Sequence, residues 1–135
     1  MKFKINGAEW KILDVDEATI NNETKNDYCL GVTIYKTQTI MLLKDQANIT
    51  KTLMHELMHV WLYEYAHSQN DRTSYDYEDI CEIVASSNNF INEIVRQYSE
   101  YEEHTFYAED GKFERAKEET RYQMNISQNI NKWFG

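Results

Sequence analysis

Proline is absent from this chain, and glycine occurs only four times among its 135 residues. No stretch rich in glycine, serine or proline, no repeat and no low-complexity tract interrupts the sequence, so we expect one domain over residues 1–135. Within it we predict a mainly β part at residues 1–46, two core helices at residues 47–99 and a helical extension at residues 100–135.

Long apolar runs, cysteines and basic residues are also scarce. No stretch is apolar enough to cross a membrane, and residues 1–16 alternate between apolar and polar side chains, so we expect neither a membrane partner nor a secretory signal. The two cysteines, Cys29 and Cys81, show no CxxC spacing. We expect them to be small buried side chains without a disulfide, which favours a cytoplasmic protein. The formal net charge of −9 argues against a nucleic-acid partner.

The most specific pattern in the chain is His55-Glu56-Leu57-Met58-His59, an HExxH pentad. Residues 48–65 contain no glycine or proline, and their apolar residues recur at helical spacing, so we predict a helix there with Asp45 or Asn48 as its cap. On a helix both histidines lie on one face and can bind a single zinc ion. Glu56 lies about 100° further round, where it can act as a general base on metal-bound water. An ordinary amphipathic helix with two exposed histidines is the alternative.

Two histidines leave a catalytic zinc site one protein ligand short. An extended metzincin pattern is excluded, because Leu62 and Tyr65 stand where it needs glycine and a third histidine. His67 lies about 12 Å beyond His59 on a continuous helix and is a poor candidate. The third ligand is therefore expected from a later segment.

Residues 75–98 supply that segment, a second predicted helix that contains Glu82 in an ExxA pattern. We predict Glu82 as the third ligand, on the side of the helix away from an apolar stripe. Glu78 is the alternative ligand, and Glu78 or Asp79 could instead hydrogen-bond a ligating histidine. A merely solvated acidic face is the other interpretation. The predicted stripe consists of Ile80, Val84, Ile91, Val95 and Tyr98.

With these residues, positions 28–95 resemble the gluzincins, and among them the short ImmA/IrrE-like metallopeptidases of phages and mobile elements. The resemblance is carried by a strand pair with Gly31 near its start, the pentad, and the acidic second helix around Glu82. Met58 stands where family members often have glycine, and the second helix reads EIVAS where theirs commonly reads closer to ExEAN. The resemblance implies one zinc ion, peptide-bond hydrolysis and a minimal α+β metallopeptidase fold.

The first half of the chain reads as strands. Residues 2–5 and 10–15 are predicted strands joined by an Asn6-Gly7 turn, and a polar loop is expected at residues 19–27. Residues 29–35 and 39–43 form a second predicted hairpin, so we expect an α+β fold with a small antiparallel sheet on the zinc helix. By the resemblance, an edge strand binds the substrate, although an ordinary strand is equally compatible. The strand concerned comprises Thr39, Ile40, Met41, Leu42 and Leu43.

These observations predict a zinc endopeptidase that acts on a protein or peptide substrate, with His55, His59 and Glu82 as ligands and Glu56 as general base. The alternative is a non-catalytic or partner-regulated zinc-binding module, against which the presence of Glu56 counts. A toxin or antirepressor-cleaving factor would share the chemistry. The sequence does not select an oxyanion donor among His104, Tyr75, Tyr77 and Tyr107, nor does it indicate an oligomeric state. A last helix is predicted at residues 113–133, with Trp133 and Phe134 packed on the domain.

Overall fold

The computed structural model describes residues 1–65 and 74–109, and within them the chain forms four strands and three helices. This mixture of strands followed by long helices confirms the α+β class. In chain order the elements are β1 (Lys2–Ile5), β2 (Ala8–Val15), α1 (Glu17–Thr24), β3 (Gly31–Ile34), β4 (Thr39–Leu43), α2 (Ile49–Glu64) and α3 (Tyr77–Glu109).

Both predicted hairpins are confirmed. β1 pairs antiparallel with β2 through a turn in which Asn6 and Gly7 both have positive φ, as a two-residue type I′ turn requires. β3 pairs antiparallel with β4, and the connecting turn is closed by the Gln38 amide, which donates to the Tyr35 carbonyl at 3.2 Å. Local alternation and turn residues therefore determine these pairings.

The sheet is mixed, which corrects the prediction that it is wholly antiparallel. Its strand order is β1-β2-β4-β3, and β4 lies parallel to β2 with Lys11 opposite Thr39. The five residues from Thr39 to Leu43 were expected to form a substrate-binding edge strand, and this position is wrong because β4 is hydrogen-bonded on both sides. Its nearly continuous apolar sequence suits an inner strand. The edge of the sheet beyond β4 is β3.

Helix α1 replaces the polar loop that we predicted at residues 19–27. Asp16 caps its start, because the Thr19 amide donates to the Asp16 carboxylate at 2.8 Å. Lys25 closes its end in the left-handed conformation, with its amide donating to the Asn21 carbonyl. Ile20 is fully buried and is the buried residue of this helix. A single apolar anchor leaves little helical periodicity in the sequence, which explains the error.

Helix α2 agrees with its predicted bounds and packs on β3 and β4. Asn48 is the N-cap, and its side chain accepts a hydrogen bond from the Lys51 amide at 3.1 Å. The far end is held by Glu64, whose carboxylate accepts the Trp10 indole N–H at 2.7 Å and whose carbonyl accepts the Asn6 amide at 2.9 Å. Fully buried Leu53, Leu57 and Val60 line the face toward the sheet. The pentad is thus fixed to a rigid layer.

Helix α3 begins at a reciprocal cap, in which the Asp79 amide donates to the Asp76 carboxylate at 2.8 Å and the Asp76 amide donates to Asp79 at 3.1 Å. Its buried face differs from the predicted stripe. Ile91 and Tyr98 are buried, but Ile80 and Val84 are 48% and 56% exposed. Ser87 and Ile94 are buried instead, with the Ser87 hydroxyl 3.7 Å from the Met58 sulfur of α2. The buried Ser87 hydroxyl is satisfied within its own helix, because it donates to the Ile83 carbonyl at 2.7 Å.

The chain divides into two compact units, Met1–Val95 and a second unit that begins at Arg96. In the first unit, Phe3 and Phe90 pack with ring centroids 6.0 Å apart. In the second, Arg96 forms an ion pair with Glu100 at 2.7 Å. The helix predicted at residues 113–133 and the packing of Trp133 and Phe134 lie outside the described residues.

Cys29 and Cys81 are free thiols. Cys29 is half-buried just before β3, whereas Cys81 is exposed on α3, so the expectation of two buried cysteines is wrong for Cys81. None of the helices in residues 1–65 and 74–109 combines the length and the apolar character needed to cross a membrane.

Candidate metal and catalytic site

His55 and His59 lie one helical turn apart on the exposed side of α2, and their rings converge. Their Nε2 atoms are 3.3 Å apart, and their ring planes meet at 74°. Two nitrogen ligands at about 2.0–2.1 Å from a tetrahedral zinc ion are separated by about 3.3 Å. The histidine pair therefore has the geometry of two corners of a zinc site.

Glu56 lies about 100° round the helix from His55, and its carboxylate points toward the sheet. It is 7% exposed, and its Oε2 accepts a hydrogen bond of 2.6 Å from the Thr33 hydroxyl. This length is typical of a hydroxyl that donates to a carboxylate, which is a charge-assisted bond. Thr33 belongs to the edge strand β3, so the carboxylate is fastened to the sheet as well as to its own helix.

Gly31 leaves the room that Glu56 occupies. A Cβ at this position would lie 2.7 Å from the Thr52 methyl and 3.2 Å from Cγ of Glu56. Any side chain at Gly31 would thus push against α2. Gly31 and Thr33 share a face of β3, as alternate residues of a strand do, and that face meets the pentad.

Tyr35 is the next alternate residue after Gly31 and Thr33, and it lies just past the end of β3. Burial raises the pKa of Tyr35, and the nearby Glu56 carboxylate and Tyr63 add to the effect because both disfavour a phenolate. The rings of Tyr35 and Tyr63 lie 4.8 Å apart. The phenol is protonated at neutral pH, as tyrosines ordinarily are, and can donate a hydrogen bond.

A groove of about 840 Å³ ends at the pentad. Its walls are residues 26 and 28–31 before and at the start of β3, residues 45–48 after β4, and four residues of α2. Several polar groups in these walls are already bonded to one another. Gln46 donates to the Leu30 carbonyl at 2.9 Å, and the Cys29 thiol contacts the Gly31 carbonyl at 2.8 Å. The α2 residues are Lys51, Thr52, His55 and Glu56.

The acidic residues of α3 do not join the histidines in a cluster. Glu82 is exposed and accepts a hydrogen bond from the Ser86 hydroxyl at 3.1 Å, Glu78 is exposed, and the Asp79 carboxylate caps α3. Among the side chains that the structure describes, those of residues 1–65 and 74–104, no three His, Cys, Asp or Glu are grouped closely enough to hold a metal ion. The structure thus brings together His55 and His59, with Glu56 beside them, and leaves the third ligand as a sequence prediction.

Of the candidate oxyanion donors named from the sequence, Tyr75 and Tyr77 do not line the groove. Tyr77 is 88% exposed, Tyr75 is half-buried ahead of α3, and His104 belongs to the second unit. The side chain of Tyr107 lies outside the described residues. Sequence reasoning did not identify Tyr35, whose phenol lies near the Glu56 carboxylate.

Sequence reasoning also missed the role of Thr33. The signal was available in the period of two that places Gly31 and Thr33 on one face of β3. Tyr35, just past the end of β3, contacts Tyr63 of α2. No protein-family model, no curated protein and no solved structure matches this chain.

Proposed function

We propose that this protein is a zinc-dependent endopeptidase that hydrolyses a peptide bond in a protein substrate. The observation that carries the proposal is the convergence of the His55 and His59 Nε2 atoms at 3.3 Å, with the Glu56 carboxylate on the next helical position. A zinc ion bound by this pair would supply Lewis acidity, which acidifies water and polarises the scissile carbonyl.

Glu56 has the catalytic role in this mechanism. Its carboxylate takes a proton from the attacking water and later passes the proton to the leaving amine. A site used only to stabilise the fold would need no such base. The burial of Glu56 beside the groove keeps bulk water from most of the carboxylate, while the adjacent histidines remain exposed.

The edge of β3 is the place for an extended substrate. The Leu43 amide donates to the Leu30 carbonyl, so the alternation of antiparallel pairing turns the backbone groups of Gly31 and Thr33 away from β4. Among the described residues no strand pairs with that side. A peptide added there would hydrogen-bond along β3 next to the groove that ends at His55 and Glu56.

The third ligand is proposed to be Glu82, with Glu78 as the alternative. Alanine substitution distinguishes the two candidates, because the loss of a true ligand weakens zinc binding far more than the loss of an exposed carboxylate nearby. Glu82→Ala is expected to lower zinc affinity at least about tenfold, with Glu78→Ala close to wild type. Isothermal titration with zinc measures both, and the reverse result would assign Glu78.

The proposal is tested by measuring zinc and hydrolysis in the same preparations. Wild type, His59→Ala and Glu56→Gln are stripped with a chelator, reloaded with zinc and analysed by elemental mass spectrometry. Each is then incubated with a proteome-derived peptide library. We expect near-stoichiometric zinc in wild type and Glu56→Gln and little in His59→Ala. We expect full hydrolysis in wild type alone, with the rate of Glu56→Gln lower by about 10²–10⁴-fold.

Glu56→Gln is the matched control, since it keeps the shape of the side chain and an acceptor for Thr33. Cleavage by Glu56→Gln at the wild-type rate would come from a contaminating protease or would refute the role of Glu56 as the base. Zinc binding without cleavage would favour the zinc-binding interaction module instead. Absence of tight zinc in wild type would overturn both.

A further inference from the structure

The position of the Glu56 carboxylate is determined by β3 as much as by α2. A glutamate side chain has three rotatable bonds, so a helix alone does not fix where its carboxylate lies. Here Oε2 is 2.6 Å from the Thr33 hydroxyl, and the whole residue is only 7% exposed. The same hydroxyl lies 3.3 Å from the Glu56 carbonyl. Thr33 therefore contacts both ends of the residue.

The backbone of Thr33 faces a different direction from its side chain. Its amide and carbonyl point away from β4, to the side on which a peptide can pair, whereas its hydroxyl points to Glu56. Thr33 thus contacts the proposed base through its side chain and lies, through its backbone, on the edge of β3 where the substrate is proposed to pair. Neighbouring Gly31 leaves space for the carboxylate, with the position of its absent Cβ 3.4 Å from Oε1.

We propose that Thr33 is a positioning residue, which holds the Glu56 carboxylate at a fixed distance from a peptide paired along β3. The inference rests on the proposed function, since the position of Glu56 matters to a reaction only if Glu56 acts as its base. The bound peptide and the Glu56 carboxylate are then both held by β3, which fixes the distance between them. Displacement of a catalytic group by about 1 Å can cost about 10²-fold in rate.

The test compares Thr33→Val with Thr33→Ser. Valine has the shape of threonine and suits a strand but cannot donate, whereas serine keeps the hydroxyl and loses only the methyl group. For hydrolysis of one library peptide, Thr33→Val is expected to lower kcat about 10–100-fold with KM within about threefold of wild type. Thr33→Ser is expected to recover kcat to within about threefold. Zinc content and urea midpoint, measured on all three, show that metal binding and folding are retained.

A second measurement needs no substrate. Crystal structures of the two variants are compared with that of wild type. We expect the Glu56 carboxylate to move by about 1 Å or more in Thr33→Val and to keep its place in Thr33→Ser. An unmoved carboxylate in Thr33→Val, a wild-type kcat in that variant, or an equal kcat loss in Thr33→Ser would each overturn the positioning role. If wild type cleaves no peptide, the proposed function fails, and the crystal structures still decide whether Thr33 holds Glu56.

Discussion

Replacement of Gly31 by alanine tests the fit between β3 and α2 without any assumption about activity. Gly31 does not have a positive φ, so alanine can adopt the backbone conformation. The added Cβ would nevertheless lie 2.7 Å from the Thr52 methyl, and ordinary contact begins near 3.4 Å. The helix or the strand must therefore shift by about 0.7 Å at this point, or Thr52 must change rotamer.

The expected cost follows from two opposing terms. Overpacking of a close contact costs about 1–3 kcal/mol, whereas alanine restricts the unfolded chain and returns about 0.4–1 kcal/mol. The middle values of these two ranges differ by about 1.3 kcal/mol, and we expect Gly31→Ala to lower the free energy of unfolding by about that amount. Urea unfolding followed by tryptophan fluorescence measures this loss, because Trp10 and Trp61 are 1% and 7% exposed and report on the first unit.

Thr52→Ser supplies the matched control. Serine lacks the methyl group that the new Cβ would meet, and it keeps the hydroxyl that bonds the Gln46 side chain. The double variant should recover at least about half of the stability lost in Gly31→Ala. Gly7→Ala is expected to strain the backbone instead, because Gly7 has a φ of +80° and no atom lies within 4 Å of its Cβ position. Thr52→Ser should therefore not restore the stability lost in Gly7→Ala. A Gly31→Ala protein as stable as wild type, or one that Thr52→Ser leaves unimproved, would refute the steric reasoning.

Two further predictions concern pH. The raised pKa of Tyr35 means that the folded protein holds this proton more tightly than the unfolded chain, so its contribution is present below about pH 10 and is lost as pH rises through the folded pKa. The urea midpoint of Tyr35→Phe should therefore decrease less than that of wild type as the pH rises into the alkaline range. An equal decrease in both proteins would contradict this. Hydrogen bonds from Thr19, side chain first and then backbone, together with Lys44, lower the pKa of Asp16, so its contribution is present above about pH 4 and is lost as pH falls through the folded pKa. Circular dichroism during urea unfolding should show that Asp16→Ala is less stable than wild type at neutral pH and that the gap narrows in acid; a constant gap would show that the cap acts without its charge.

The parts of this fold that the sequence predicts are those set by neighbours in the chain. Asn6 and Gly7 specify a tight turn, alternation specifies the flanking strands, and the pentad fixes two histidines on one helical face. Each of these depends on residues fewer than about ten positions apart. The α+β class follows from them.

The parts that the sequence does not predict depend on distant pairing. A hairpin pattern for β3 and β4 does not say which strand meets β2, so the inner position of Thr39–Leu43 was missed. The same limit applies to α3, where burial of Ser87 rather than Val84 follows from its packing on α2. The Thr33 contact to Glu56 joins residues 23 positions apart, so alternation along β3 indicates the face on which Thr33 lies but not the residue that it meets.

The parallel pairing of β2 with β4 also has a consequence for how the molecule folds. The two hairpins are local structures that can form within about 1–10 μs, but their union must close the whole chain between Lys11 and Thr39. We expect this late step to limit the folding rate. The paired histidines arise from α2 alone, whereas the surroundings of Glu56 exist only after β3 has docked. During synthesis or refolding, the two imidazoles should therefore come together on α2 before the Glu56 carboxylate reaches its place beside Thr33.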